Sequence, residues 1–127
     1  MQERQLVAIV DDDKSIRNAT QDLLNAAGYS TATFESAESF LNYTHRANTA
    51  CLVTDMRMPG MTGLELHQEL LARNQGIPTI IMTAHPEEMR QARAREAGVK
   101  CYLIKPFEPD ELLGCIRAAL AKDSHPH

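Results

Sequence analysis

Five side chains stand out because each falls at the end of a short apolar run. Asp11 and Asp12 follow Leu6–Val10, Asp55 follows residues 50–54, Thr83 follows 78–82, and Lys105 follows Cys101–Ile104. If the first and third runs are neighbouring strands, three carboxylates meet in one crevice, where mutual repulsion raises a pKa or demands a cation. A hard divalent ion answers that demand. Magnesium suits it because it takes few protein carboxylates, keeps waters and pairs with phosphate oxygens, and manganese is a substitute. Lys105 adds an ammonium and Thr83 a hydroxyl, the groups that would hold the remaining oxygens of a phosphoryl group. Asp55 alone follows a central run and borders a loop with Pro59, Gly60 and Gly63 that opens to solvent, which suits a nucleophile. Asp11 and Asp12 are then left to carry the metal.

Taken singly, each residue has an ordinary structural explanation. Asp11-Asp12-Asp13 before a helix is a capping and dipole arrangement. Asp55 and Lys105-Pro106 read as turn residues at strand ends, and Thr83 by itself is uninformative. Their joint placement at successive strand ends is what independent turns do not produce.

The elements that must position these residues follow from the pattern of the chain. Leu6–Val10 is a continuous apolar run, as expected of a strand buried on both faces. Asp13 can cap a helix carrying Ile16, Ala19, Leu23, Leu24 and Ala27, which Gly28 ends. Residues 29–34 alternate in the manner of a more exposed strand, and Ser36 opens a short helix with Phe40, Leu41 and Tyr43 that fades in the polar stretch 44–49. The third strand spans 50–54 and leads to a helix with Leu64, Leu66, Leu70 and Leu71. The fourth, 78–82, precedes a polar, surface-facing helix that starts at Pro86-Glu87-Glu88 and stops at Gly98. The fifth strand, Cys101–Ile104, precedes a helix that starts near Pro109 and bears Leu112, Leu113, Ile116 and Leu120. Five strand–helix units predict an α/β fold with a parallel sheet and helices on both faces. Ligands in such sheets bind beyond the carboxyl ends of the strands, where strand order reverses.

Composition narrows the function classes. The 127 residues suit one domain, expected over 1–122 with a short tail at 123–127. With 43% hydrophobic and 24% charged residues, a packed core is expected. The net charge of -4, with 13 basic residues scattered among 17 acidic ones, argues against nucleic-acid binding by this chain. No apolar run nears the roughly 20 residues of a membrane span, and the first five residues are too polar for a signal peptide, so a cytoplasmic protein is expected. Cys51, Cys101 and Cys115 form no CxxC pair and leave one over if two were bridged, so buried, reduced thiols are expected. The five histidines, including His85, lack metal-ligand spacing.

The motifs Val10-Asp11-Asp12-Asp13, Thr54-Asp55 through Gly63, Met82-Thr83-Ala84 and Lys105-Pro106-Phe107 together resemble the response-regulator receiver family, and the match covers nearly the whole chain. The resemblance implies a doubly wound, flavodoxin-like five-stranded sheet in the order 2-1-3-4-5. It implies that Asp55 is phosphorylated by a sensor histidine kinase or phosphotransfer protein, while Asp11, Asp12, Asp55 and the Arg57 backbone carbonyl organise Mg2+. Lys105, Thr83 and Ala84 would contact the phosphoryl group, and Thr83 with Tyr102 resembles the family's switch pair. Lys105-Pro106 would be cis, Arg57 and His85 would tune how quickly water removes the phosphoryl group, and output would appear on the fourth helix, fifth strand and fifth helix. A phosphorylation-dependent homodimer through that face is compatible with it. The downstream effector is either a separate protein or part of a longer chain.

The sequence departs from the family at Thr62, where Asp is common, and at Val99-Lys100-Cys101, which precedes and includes the start of the last strand. Two rivals stay open. A magnesium-dependent aspartyl-phosphate phosphatase would need a second Asp two positions after Asp55, where Arg57 stands. A receiver-like interaction domain without phosphorylation would not need the five pocket residues, all of which are present. A phosphoacceptor signalling domain, rather than an enzyme, is therefore expected.

Overall fold

The computed structural model describes residues 4–95 and 98–121. The expected tail at 123–127 lies outside them, as does the last residue of the expected domain. The described chain runs β1 (Leu6–Val10), α1 (Lys14–Ala26), β2 (Ser30–Phe34), α2 (Ala37–Leu41), a 3-10 turn (Arg46–Asn48), β3 (Cys51–Asp55), α3 (Gly63–Ala72), β4 (Thr79–Thr83), α4 (Pro86–Arg95), β5 (Cys101–Ile104) and α5 (Pro109–Leu120). The five strands form one parallel sheet in the order β2-β1-β3-β4-β5. The chain therefore leaves β1 toward one edge and returns across it toward the other, so strand order reverses between β1 and β3. That is where a crevice opens in such sheets.

Alternation along the strands divides the core. Val7 and Ile9 of β1 pack with Leu24 of α1 and with Leu112 and Ile116 of α5, whereas Ala8 and Val10 pack with Phe40 of α2 and Leu66 and Leu70 of α3. Successive side chains of a strand point to opposite faces, so one apolar run serves two layers of helices. Each large apolar side chain so buried stabilises the fold by about 1.5–3 kcal/mol. A smaller cluster, Met56, Leu64, Ile81, Ala92, Val99 and Tyr102, lies beneath α4. Leu71, one of the apolar positions noted on α3, is instead exposed.

Local signals set most boundaries. Asp13 caps α1 by accepting from the Ser15 and Ile16 amides, and Gly28 ends the turn after it at φ 102°. Thr62 and Glu65 form a capping box that starts α3, and at α5 the Glu111 side chain accepts from the Glu108 amide, with Pro109 in the first turn. The fourth strand is shifted by one residue from the expected 78–82. Pro78 has no amide to donate, although its carbonyl still accepts from Leu52 N, while Thr83 pairs with Ile104. The helix expected to carry Tyr43 stops at Leu41, and the stretch expected to fade instead holds the 3-10 turn.

The cysteine expectation is corrected at two positions. Cys101 and Cys115 are joined as a disulfide between β5 and α5, with their Cα atoms 6.1 Å apart. The thiol count and the lack of CxxC spacing do not reveal it, because the pair is at a sequence separation of 14 and only the packing of α5 on the sheet brings the two together. Cys51 is the buried free thiol that was expected, and burial pushes its pKa up to about 12.

Candidate functional site

The sheet register brings the strand ends together. Val10 lies opposite Thr54, Asp55 opposite Met82, and Thr83 opposite Ile104, so the residues at or just past those positions converge on one end of the sheet. Backbone bonds lock the ends in place: Met56 N donates to Met82 O at 2.8 Å, and Lys105 N to Thr83 O at 2.8 Å. One oxygen from each of Asp11, Asp12 and Asp55 lies within 4.8 Å of the others. Lys105 Nζ reaches Asp55 Oδ1 at 3.1 Å and Asp11 Oδ2 at 3.4 Å. Asp11 is fully buried, Asp12 exposed, and the Asp55 side chain 14% exposed, so the cluster is anchored at its back and open at its front.

Burial and the neighbouring Asp11 charge push the Asp55 carboxyl above its ordinary range, with Asp12 adding to the rise and Lys105 opposing it. One ammonium does not balance three carboxylates. Three carboxylate oxygens at this spacing are the donor set of a hard divalent cation, so the residues fit a metal.

Two positions reveal constraints that sequence reasoning missed. Gly63 begins α3 against the end of β3, and a Cβ placed there would lie 2.4 Å from Asp55 O. Only glycine permits that approach. Sequence reading took Gly63 as a loop residue, since nothing local reveals what its missing side chain avoids. The second is Glu88, read as part of a helix start. Its Oε1 accepts from Thr83 Oγ1 at 3.1 Å and its Oε2 from Arg57 Nε at 2.6 Å. Burial acts to raise the Glu88 carboxyl, yet the bonds from Arg57 and Thr83 prevail and hold it below the ordinary range.

Thr83 is buried, and its hydroxyl also accepts from the His85 amide at 3.0 Å. Tyr102 is turned into the cluster beneath α4, with the Arg93 guanidinium 5.5 Å from its ring centroid. The Lys105–Pro106 peptide bond is cis, as the resemblance implied. Ala84, Lys105 and Pro106 line one side of a largely apolar groove of about 660 Å³, whose far wall is Ile16 and Ala19 of α1.

With this geometry in place, comparison with known proteins is decisive. Residues 7–117 match the family described as response regulator receiver domain. The chain belongs to that family. Response regulator protein TodT of Pseudomonas putida is 38% identical over 115 residues, which is 91% of this chain and 51% of that protein. Transcriptional regulatory protein FixJ of Bradyrhizobium diazoefficiens is 34% identical over 114 residues, 90% of this chain and 56% of that protein. The chain thus spans about half the length of these curated relatives. The crystal structure of FixJ-N superposes with a TM-score of 0.83 at 33% identity, covering 100% of this chain and 98% of that one. The doubly wound sheet is therefore the receiver fold, and the chain is a signalling domain of a two-component response regulator. No helix among the described residues is long and apolar enough to cross a membrane.

Proposed function

We propose that Asp55 accepts a phosphoryl group from the phosphohistidine of a sensor histidine kinase or a phosphotransfer protein. An Asp55 carboxylate oxygen forms the new P–O bond as the P–N bond to the donor imidazole breaks, and the bonding pair returns to the ring nitrogen. The observation that carries this reading is the Lys105 ammonium 3.1 Å from the Asp55 carboxylate, in a crevice that already holds two further acids. Asp11, Asp12 and Asp55, with the Arg57 backbone carbonyl, would hold Mg2+ or Mn2+, and the bound ion would offset the negative charge of acids and phosphoryl oxygens alike.

Thr83, the Ala84 backbone and Lys105 would then engage the phosphoryl oxygens, and Arg57 and His85 would set the rate at which water removes the group. Thr83 and Tyr102 would carry the switch to α4, β5 and α5, in a cytoplasmic domain spanning 1–122. New charge on Asp55 favours whichever conformation offers it more donors, so phosphorylation shifts a population already present. The effector is a transcriptional output of the kind FixJ's name describes, and homodimerisation through the α4-β5-α5 face accompanies phosphorylation.

Intact-mass measurement after incubation with acetyl phosphate and Mg2+ tests the reading. Wild type should gain one phosphoryl group and Asp55→Asn none. Labelling of both, or of neither, would overturn it.

A further inference from the structure

The polar residues around the crevice include one that the phosphoacceptor chemistry does not need. Glu88 lies in the first turn of α4, and its two oxygens are divided between two partners on different strand ends. Thr83 Oγ1 ends β4, and Arg57 Nε lies two residues beyond the end of β3. A hydroxyl has a single proton to donate. That of Thr83 goes to Glu88, while the His85 amide occupies a lone pair of the same oxygen. Thr83 therefore cannot donate to Glu88 and to a phosphoryl oxygen on Asp55 at once.

We propose that Glu88 is a positioning residue that holds the unphosphorylated domain in its resting arrangement by competing with the phosphoryl group for the Thr83 hydroxyl and the Arg57 guanidinium. The inference rests on Asp55 being the phosphoacceptor. Phosphorylation supplies an acceptor of higher charge, Thr83 and Arg57 turn toward it, and Glu88 loses both tethers in one event. What it releases is the start of α4, because Ala92 is the only buried one among the described residues of that helix. Little apolar contact would resist a shift of the first turn once those bonds are gone. Glu88 thus converts a charge change at Asp55 into freedom of one helix, and the same competition sets how readily Asp55 is phosphorylated.

The experiment measures the initial rate of phosphorylation by acetyl phosphate with Mg2+, by intact mass, for wild type, Glu88→Ala, Glu88→Gln, Thr83→Val and the Glu88→Ala/Thr83→Val pair. Glu88→Ala should react about two- to fivefold faster than wild type, the span expected when a solvent-screened ion pair is lost from the resting state. Glu88→Gln keeps an acceptor for Thr83 but not the charge facing Arg57, so its rate should fall between the two. In the Thr83→Val background the gain from Glu88→Ala should shrink, because half of the competition is already removed. Hydrogen exchange supplies a readout independent of Asp55 chemistry: amides 87–90 should exchange faster in unphosphorylated Glu88→Ala than in wild type.

A Glu88→Ala protein that is less stable but reacts no faster than wild type has lost structure only, and that result overturns the proposal. So does an equal gain with and without Thr83. A wild type that takes up no phosphoryl group, with exchange at 87–90 still altered by Glu88→Ala, refutes the phosphoacceptor assignment while leaving the tether in place.

Discussion

Helices α3 and α4 have the same length and flank neighbouring strands, yet they are held in opposite ways. α3 buries Gly63, Leu64, Leu66, His67 and Leu70, whereas α4 buries Ala92 alone. What α4 lacks in apolar contact is replaced by polar links: Glu88 to Thr83 and Arg57, and Arg93 over the Tyr102 ring. Apolar burial is indifferent to a new charge in the crevice, while polar links can be redirected by one. The contrast separates a helix held by apolar burial from a helix held largely by polar links to the crevice.

The largest expected effect tests the apolar side. Leu66→Ala should lower stability by about 2–5 kcal/mol, while Met89→Ala, a half-buried position on α4, should cost less than about 1.5 kcal/mol. Urea unfolding of both variants checks this, and equal losses would break the comparison. Next comes the covalent link of α5. In oxidising buffer Cys115→Ser should lose about 2–3 kcal/mol relative to wild type, as expected for opening a loop of this size, and the two should converge under a reductant. Persistent divergence would mean that Cys115 acts through packing instead.

The smallest effect concerns the carboxylates of the crevice. Because the folded-state Asp55 pKa is raised, the folded protein holds more protons than the unfolded chain between the ordinary carboxylate range and the raised value. Stability from this group is therefore present at low pH and lost as pH rises through the raised pKa. Asp55→Asn should escape that loss and exceed wild type in stability near neutral pH, with the difference closing on acidification. Thermal unfolding across pH 4–7.5, a window chosen from the usual carboxylate range upward, is the check. A constant difference would show that Asp55 carries no such strain.

The architecture was legible because it is written in runs of adjacent residues. β1 and β5 were expected at Leu6–Val10 and Cys101–Ile104 and are found there. Asp11, Asp12, Asp55, Thr83 and Lys105 could be gathered in advance because a parallel sheet places successive strand ends side by side. What escaped was everything that depends on the closing distance between elements. Glu88 reaches Thr83 and Arg57 only because the first turn of α4 folds back over the crevice, and Cys101 meets Cys115 only because α5 lies on β5. No periodicity encodes either meeting. The shift of β4 to Thr79–Thr83 has a local cause, the missing amide of Pro78, which is visible in the sequence itself.

The contact of Gly63 with the Asp55 carbonyl makes the start of α3 a mechanical stop for β3. A methyl group introduced at 63 would act as a wedge of known size, displacing the peptide that bears the Asp55 carboxylate away from α3 without altering any charge. Gly63→Ala and bulkier replacements therefore form a graded ruler, able to measure how far the Asp55 carboxylate can drift from its ammonium neighbour.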